Sequence, residues 1–279
     1  IFAVSSQRCV RRIMTEMRHA IKNGEIILEE NAVVNITLAP VQSNFSVYEA
    51  LRVLNKHVVH LEDHVERLKN SAFSIGLNLP KVEWKEEIDK LIEEDGITDA
   101  TMRILVVGTE KPLWFITWNT LLTYPDSYYK EGVSAITYKG ERFLPQCKTG
   151  NLLVNYLSRE EGKRHNAFEA LLVDRNGEIL EGSRSNFYIL RKNVMKTAPD
   201  EKVLDGITRI SVLRAARELG YTVEFKAPKP EEIWTADASF ISSTSMGAMP
   251  LREVDGKECP FDYEKVAAIC SLVRKWECI

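Results

Sequence analysis

The sequence predicts a two-domain α/β protein, a small α+β domain followed by a larger one in which strands and helices alternate. Three observations carry that expectation. Apolar spacing switches along the chain between a period of two and a period of about 3.6, so strands and helices are both present. Thr123-Tyr124-Pro125-Asp126-Ser127-Tyr128-Tyr129 breaks the strand pattern with polar and aromatic residues around a proline. The 279 residues, 44% apolar and 28% charged, suffice for two packed cores of ordinary size. The expected division is 14–124 for the first domain, 125–131 for the linker and 132–279 for the second.

A formal net charge of -3, with basic residues spread among acidic ones, gives no footprint for nucleic acid or an anionic membrane. No apolar run approaches the roughly eighteen residues that span a bilayer. The five cysteines contain no CxxC pair and are odd in number, so free thiols of a cytoplasmic protein are expected. Residues 1–13 hold Arg8, Arg11 and Arg12 and no acid. That composition suits an organelle transit segment, and equally suits upstream sequence before a start at Met14. This piece is left outside the fold.

Taken in order, Asn23-Gly24 is a two-residue hairpin signal leading into Ile26-Ile27-Leu28. Residues 35–38 read as a short strand and 46–54 as a longer one, which Asn55-Lys56 turns into a partner over 58–61. From Glu62 the period changes: Val65, Leu68 and Ala72 share a helix face, and Glu62 and Asp63 suit its first turn. Pro80 ends the next segment, residues 84–94 form a second amphipathic helix, and 101–107 and 113–122 are strands. Beyond the linker, 132–137 is a strand. A helix opens at Thr149-Gly150-Asn151 and runs to about His165, with Glu160 and Arg164 paired on its outer face. Strands follow at 170–173 and 178–180, separated by the turn Asp174-Arg175-Asn176-Gly177, and again at 187–190. A helix starts at Leu204-Asp205-Gly206-Ile207-Thr208-Arg209 and stops at Gly220. Residues 221–225 and 239–244 are strands, 231–236 a short helix, and 263–276 a closing amphipathic helix.

Several residues suggest chemistry, each with a plainer reading beside it. His60 and His64 lie four apart, but the glutamate of HExxH and a third ligand are missing, so no metal is expected. Lys148, ahead of a helix, is by default a solvated surface amine. Glu181 taken alone is a strand-end acid. Gly206-Ile207-Thr208 is a helix N-terminus, whose free N–H groups also suit a phosphate.

Their order along the chain adds weight to the chemical readings, and the helix start at Gly206 can be both. His64-x-x-Arg67-Leu68 precedes Lys148, then come Glu181-Gly182-x-x-x-Asn186, Gly206-Ile207-Thr208-Arg209 and Ser242-Ser243-Thr244. This arrangement resembles the class IV, fold-type IV pyridoxal-phosphate aminotransferases, over nearly everything from Asn23 onward. The resemblance implies a two-domain enzyme with pyridoxal 5'-phosphate in the interdomain cleft. It implies that Lys148 holds the cofactor aldehyde as a Schiff base and shuttles protons, a role suited to an amine of lowered pKa. Glu181 would keep the ring nitrogen protonated, as the electron sink requires. Leu204 would lie against the ring, and Arg67, Gly206, Ile207, Thr208, Ser243 and Thr244 would cup the phosphate.

The resemblance also implies transfer of an amino group between an amino acid and a 2-oxo acid such as 2-oxoglutarate or pyruvate, in a homodimer. The segment from Lys148 to Asn155, the Ser-Ser-Thr strand end and Val47-Tyr48-Glu49 look closest to D-amino-acid aminotransferases. The alternatives are a branched-chain L-amino-acid aminotransferase, an aminodeoxychorismate lyase and an (R)-amine transaminase. Val106-Val107-Gly108 stands where the D-specific enzymes carry basic residues for the substrate carboxylate. Arg184 is therefore expected to point into the site and bind that carboxylate, with Arg103 as second candidate and Tyr48 beside the substrate.

Overall fold

Asn23 and Gly24, both at positive φ (52° and 90°), turn the strand β1 (His19–Lys22) back as β2 (Glu25–Leu28). That is the backbone twist an Asn-Gly hairpin supplies. The computed structural model describes residues 18–277, so the expected N-terminal piece 1–13 and the start at Met14 lie outside the described residues. After this hairpin come β3 (Ser46–Leu54), β4 (His57–Val58), β5 (Ala100–Val107) and β6 (Leu113–Thr120). They assemble an antiparallel sheet in the order β2-β1-β6-β5-β3-β4.

Alternation along β3 decides its two faces. Val47, Glu49, Leu51 and Val53 are fully buried. The helix Leu61–Ser74 packs Leu61, Leu68 and Ala72 into the same core, and Trp84–Glu94 adds Trp84, Ile88, Leu91 and Ile92. Each such aliphatic side chain contributes about 1.5–3 kcal/mol by leaving water. The other face of the β3/β5 pair carries Tyr48, Ala50, Arg52, Thr101 and Arg103, with Ala50 opposite Arg103 in the register.

The second sheet contains β7 (Val133–Lys139), β8 (Glu169–Val173), β9 (Ile179–Gly182), β10 (Asn186–Arg191) and β11 (Val194–Thr197). It is completed by β12 (Thr222–Phe225), β13 (Ala238–Ser243), β14 (Gly247–Val254) and β15 (Lys257–Glu258). Its path runs β12-β11-β10-β13-β14-β7-β8-β9, and β9 also pairs with β10 through Asn186 opposite Glu181. That last pairing closes β10, β13, β14, β7, β8 and β9 into a ring. The helices Ile207–Glu218 and Tyr263–Glu277 cover one side, packing Val212, Ala216, Val266, Ile269 and Val273 on Tyr188 and Phe240.

Some expectations need correction. Residues 35–38 form a turn leading into the short helix Ala39–Gln42: Asn35 Oδ1 accepts from the Thr37 N–H, an Asx-type bond that competes with a strand. The partner of β3 ends at Val58, because His60 adopts left-handed φ (53°) and Leu61 already starts the helix. The segment expected as linker carries a helix, Asp126–Glu131, whose proline N-cap is the break the sequence signalled. The helix after Lys148 begins at Leu153, since residues 148–150 are held to β3. On that helix Arg164 bonds Glu161 and Lys163 bonds Glu160, so the expected Glu160–Arg164 pair is replaced by i,i+3 pairs. The short helix at 231–236 is a 3₁₀ turn, Pro230–Thr235. Cys147, Cys259 and Cys270 are free thiols; Cys9 and Cys278 lie outside the described residues.

Candidate active site

A cavity of about 400 Å³ is lined by β3 and β5 on one side and by the ends of β9, β10 and β13 on the other. That volume is ordinary for a small-molecule site. Lys148, Glu181, Arg67, Leu204, Gly206, Ile207, Thr208, Ser243, Thr244, Arg184, Tyr48 and Arg103 all line it. The twelve residues singled out in the sequence thus share one cavity, although they span most of the chain.

Backbone contacts fix Lys148. The Tyr48 N–H donates to the Lys148 carbonyl (3.0 Å), and the Gly150 N–H donates to the Ser46 carbonyl (2.9 Å). The Lys148 N–H donates to Ser71 Oγ (3.0 Å) on the helix Leu61–Ser74. The lysine therefore sits on a short antiparallel bridge, Val47 with Thr149, which explains its non-helical approach. Its Nζ lies 4.6 Å from the Tyr48 ring centroid. Burial lowers the Lys148 pKa below the ordinary lysine value; Arg67 and Arg142 push the same way, against Tyr48 and Glu49. Burial alone would raise Tyr48, but Lys148, Arg103 and Arg142 together outweigh it and lower its pKa.

Glu181, 5% exposed, ends β9 with both carboxylate oxygens engaged. Oε1 accepts from Arg142 Nε (2.8 Å) and Oε2 from the Leu204 N–H (3.3 Å). Asn186 Nδ2 donates to the Leu204 carbonyl (2.9 Å), so the Glu-Gly-x-x-x-Asn motif grips residue 204 from two sides. Arg142 also donates to the carbonyls of Pro145 and Cys147, wrapping the segment that leads to Lys148.

At the far end of the cavity, the helix Ile207–Glu218 begins with Gly206 as its N-cap. Its first-turn N–H groups lack intrahelical partners and carry the positive end of the helix dipole. Arg209 anchors this start from below: fully buried, it donates to Thr197 Oγ1, the Ala198 carbonyl and Asp200. Arg67 reaches across from the first sheet's helix, donating from Nη1 to the Asp205 carbonyl (2.9 Å). Its Nε and Nη2 are held by Glu49 at 2.8 and 2.7 Å, and His64 Nδ1 sits 2.8 Å from Glu49 Oε2. Burial alone would raise Glu49, but the hydrogen bonds from Arg67 and His64 pull its carboxyl down to about 2. Burial pushes His64 below the ordinary imidazole value, although Glu49 opposes that. His64 is thus committed to Glu49, and the described residues contain no cluster of three metal-ligating side chains.

Arg184 and Arg103 differ in their engagements. The Arg184 guanidinium lies 4.8 Å from the Phe168 ring centroid, donates to the Phe168 carbonyl (3.4 Å) and stands 3.9 Å from Glu169. Glu169 is itself buried and accepts from both Ser183 and Ser185, which fixes the loop around Arg184. Arg103 is exposed, lies 4.1 Å from the Tyr48 ring centroid and has no carboxylate partner among the described residues. Sequence reasoning missed Arg142, Glu49 and Asn155. Asn155, also on the cavity wall, donates from Nδ2 to the Ser183 carbonyl (2.6 Å), while its buried Oδ1 has no partner among the described residues. Glu49 had a legible signal, an acid among Val47, Leu51 and Val53 in the buried alternation of β3.

The donor set fits a cofactor bearing an aldehyde, a ring nitrogen and a phosphate. One amine of lowered pKa, one fixed carboxylate and one helix start beside a guanidinium face the same space. Comparisons with known proteins agree. The chain is 32% identical over 250 residues to a D-alanine aminotransferase of Bacillus licheniformis, covering 84% of this chain and 88% of that one. It is 29% identical over 255 residues to a putative branched-chain-amino-acid aminotransferase of Methanocaldococcus jannaschii, covering 84% and 87%. Its fold matches a crystal structure of a branched-chain aminotransferase from Thermoproteus uzoniensis with a TM-score of 0.83 and 25% identity, covering 92% and 94%. The family model described as Amino-transferase class IV spans residues 46–254, and the chain belongs to that family.

Proposed function

We propose that this aminotransferase is of the D-amino-acid type, moving an amino group between a small D-amino acid and a 2-oxo acid such as 2-oxoglutarate or pyruvate. The observation that carries the reading is the 32% identity to a D-alanine aminotransferase across 84% of the chain. Its cofactor is pyridoxal 5'-phosphate. When bound, that group supplies the electron sink that makes the substrate's α-hydrogen acidic.

The chain's own residues supply the rest. Lys148 Nζ, its pKa lowered chiefly by burial, would carry a proton between the substrate's α-carbon and the cofactor carbon that had borne the aldehyde. Glu181, fixed by Arg142 and the Leu204 N–H, presents carboxylate charge to the ring nitrogen. Gly206, Ile207 and Thr208 offer N–H groups and a hydroxyl to the phosphate, with Arg67 adding charge and Ser243 and Thr244 further hydroxyls. Leu204 borders the ring, Tyr48 stands over Lys148, and Arg103 or Arg184 meets the substrate carboxylate.

A homodimer belongs to the same proposal. Leu153, Tyr156 and Leu157 repeat at helical spacing yet are 66%, 62% and 46% exposed beside the cavity, an apolar stripe suited to a second copy. Light scattering tests this.

A branched-chain L-specific enzyme is the second reading, favoured by the 29% identical Methanocaldococcus relative. Incubating the enzyme with D-alanine, L-leucine or an (R)-amine, each with 2-oxoglutarate, separates the readings. Turnover of D-alanine well above L-leucine is the expected result. Turnover of L-leucine alone overturns the D-type reading, and pyruvate release from aminodeoxychorismate without an amino acceptor points to a lyase.

A further inference from the structure

Glu49 is a fully buried carboxylate that does not border the cavity, set in the middle of a strand whose neighbours on the same face are Val47 and Leu51. Its backbone pairs with Ile104 in the β3/β5 register, so the strand cannot carry it elsewhere. An apolar side chain would serve that core better, because a buried acid is costly unless it is paired and hydrogen-bonded. The pairing is complete. Oε1 accepts from Arg67 Nε (2.8 Å), and Oε2 accepts from Arg67 Nη2 (2.7 Å) and from the protonated Nδ1 of His64 (2.8 Å). The tautomer is assigned from this contact, since a ring nitrogen that close to a carboxylate oxygen must carry hydrogen.

The consequence falls on Arg67. A guanidinium has five N–H groups in a rigid plane. Two are spent on Glu49 and one on the Asp205 carbonyl, immediately before the N-cap Gly206. Among the described residues one N–H on each Nη remains uncommitted, on a group already tethered to the start of the helix Ile207–Glu218. His64, Arg67 and Ser71 lie three and four residues apart on one helix. A single face thus supplies the brace for Glu49, the guanidinium and the acceptor for the Lys148 N–H.

We propose that Glu49 is the positioning residue for the phosphate end of the site: together with His64 it orients the Arg67 guanidinium towards the helix start at Gly206 to Thr208. The proposal rests on the reading that this helix start and Arg67 hold the cofactor phosphate. Glu49 touches no ligand; it acts through Arg67. Without the carboxylate, the arginine keeps its charge but loses the bidentate contact that sets its plane, so recognition of a phosphate weakens while the rest of the cofactor is held as before.

The test compares pyridoxal 5'-phosphate with pyridoxal, which lacks the phosphate, each titrated by absorbance into the full chain freed of cofactor. Glu49→Gln is expected to weaken pyridoxal phosphate binding by about tenfold, the order expected for a lost charge-assisted contact, and to leave pyridoxal binding unchanged. Arg67→Gln is expected to reduce the preference for the phosphorylated ligand by more. Combined with Arg67→Gln, the Glu49→Gln change should add nothing, because its route has been removed. An equal loss for both ligands, or a full additional loss in the double variant, overturns the proposal and makes Glu49 a general support of the core. Arg67→Gln with an unaltered preference for phosphate instead overturns the underlying reading of the phosphate site. If Glu49→Gln does not fold, Glu49→Asp makes the same comparison: it keeps the charge but shortens the reach, and an unaltered preference for phosphate then counts against the proposal.

Discussion

Arg142 Nε donates to Glu181 Oε1 at 2.8 Å, with the two side chains only 8% and 6% exposed. The same guanidinium donates to the Pro145 carbonyl, so one side chain ties the acid at the end of β9 to the approach to Lys148. Arg142→Met removes one partner of a buried ion pair and leaves the Leu204 N–H as the remaining donor to Glu181. Such a loss costs about 3 kcal/mol. The expected outcome is a lower melting temperature, with cofactor affinity reduced alongside it; an unchanged absorbance titration of pyridoxal phosphate would show that Glu181 keeps its position unaided.

Lys148→Ala should cost roughly 10²- to 10⁴-fold in the rate of amino transfer, the range general acid–base catalysis supplies. Its pH behaviour can be read separately in the cofactor-free protein. The folded-state pKa of Lys148 is depressed below 10.5, chiefly by burial. Between those two values the unfolded chain binds the proton and the folded chain does not, so this residue's contribution to stability rises with pH across that window. Urea midpoints measured from neutral pH upward should therefore climb more steeply for the native sequence than for Lys148→Met. Parallel curves would contradict the buried amine.

How legible these parts were depends on how local their cause is. The Asn23-Gly24 hairpin and the Gly206 helix start are set by residues a few positions apart, and both stand where the sequence puts them. Glu181 follows from a strand that ends beside a Gly-Ser turn. Arg142 was not legible, because residues 140–152 have no period and its place is set by Glu181, far along the chain. The segment 35–38 was misread for the opposite reason: its apolar alternation is real, but one Asn35 side chain satisfies the backbone locally and turns it. Glu49 could have been found by asking why an acid interrupts an otherwise apolar face.

Acid should reveal Glu49. Its carboxyl falls from 4.5 to about 2 on folding, through its hydrogen bonds with Arg67 and His64. A depressed carboxylate contributes stability that is complete above its unfolded value and is lost as pH falls towards the folded one. The loss should amount to something on the order of 3 kcal/mol between those pH values. Glu49→Gln should flatten the acid limb of the stability curve in that window, measured by urea denaturation.

Gly206→Ala tests how tightly the helix start is packed. A Cβ there would stand 2.3 Å from Asn186 Oδ1 and 3.3 Å from Arg209 Cβ. Asn186 holds the Leu204 carbonyl and Arg209 is buried beneath, so neither yields without disturbing residues 204–208. Overpacking of this kind costs roughly 1–3 kcal/mol. Weaker binding of pyridoxal phosphate and a lower melting temperature are expected together, whereas full cofactor affinity would mean that Asn186 can rotate away freely.

The choice between Arg103 and Arg184 for the substrate carboxylate can be argued from what each already holds. Arg184 leans on the Phe168 ring, donates to the Phe168 carbonyl and lies near the buried Glu169. Turning its guanidinium from Phe168 towards a substrate gives up those contacts, and its charge would be partly offset by Glu169. Arg103 stands beside Ala50 on the same sheet face, stacked on Tyr48 and facing the cavity with no acid partner among the described residues. A carboxylate placed between Lys148 and Arg103 would meet a planar fork whose orientation Tyr48 fixes. A hydrogen bond to a charged partner contributes about 1.5–3 kcal/mol, so Arg103→Gln should raise KM for amino and 2-oxo acids roughly tenfold to a hundredfold. Arg184→Gln should raise it less. Steady-state kinetics on both variants, with cofactor binding measured alongside, decide the matter: a large rise in KM for Arg184→Gln with Arg103→Gln unaffected would assign the carboxylate to Arg184 and require its guanidinium to leave Phe168 when substrate binds.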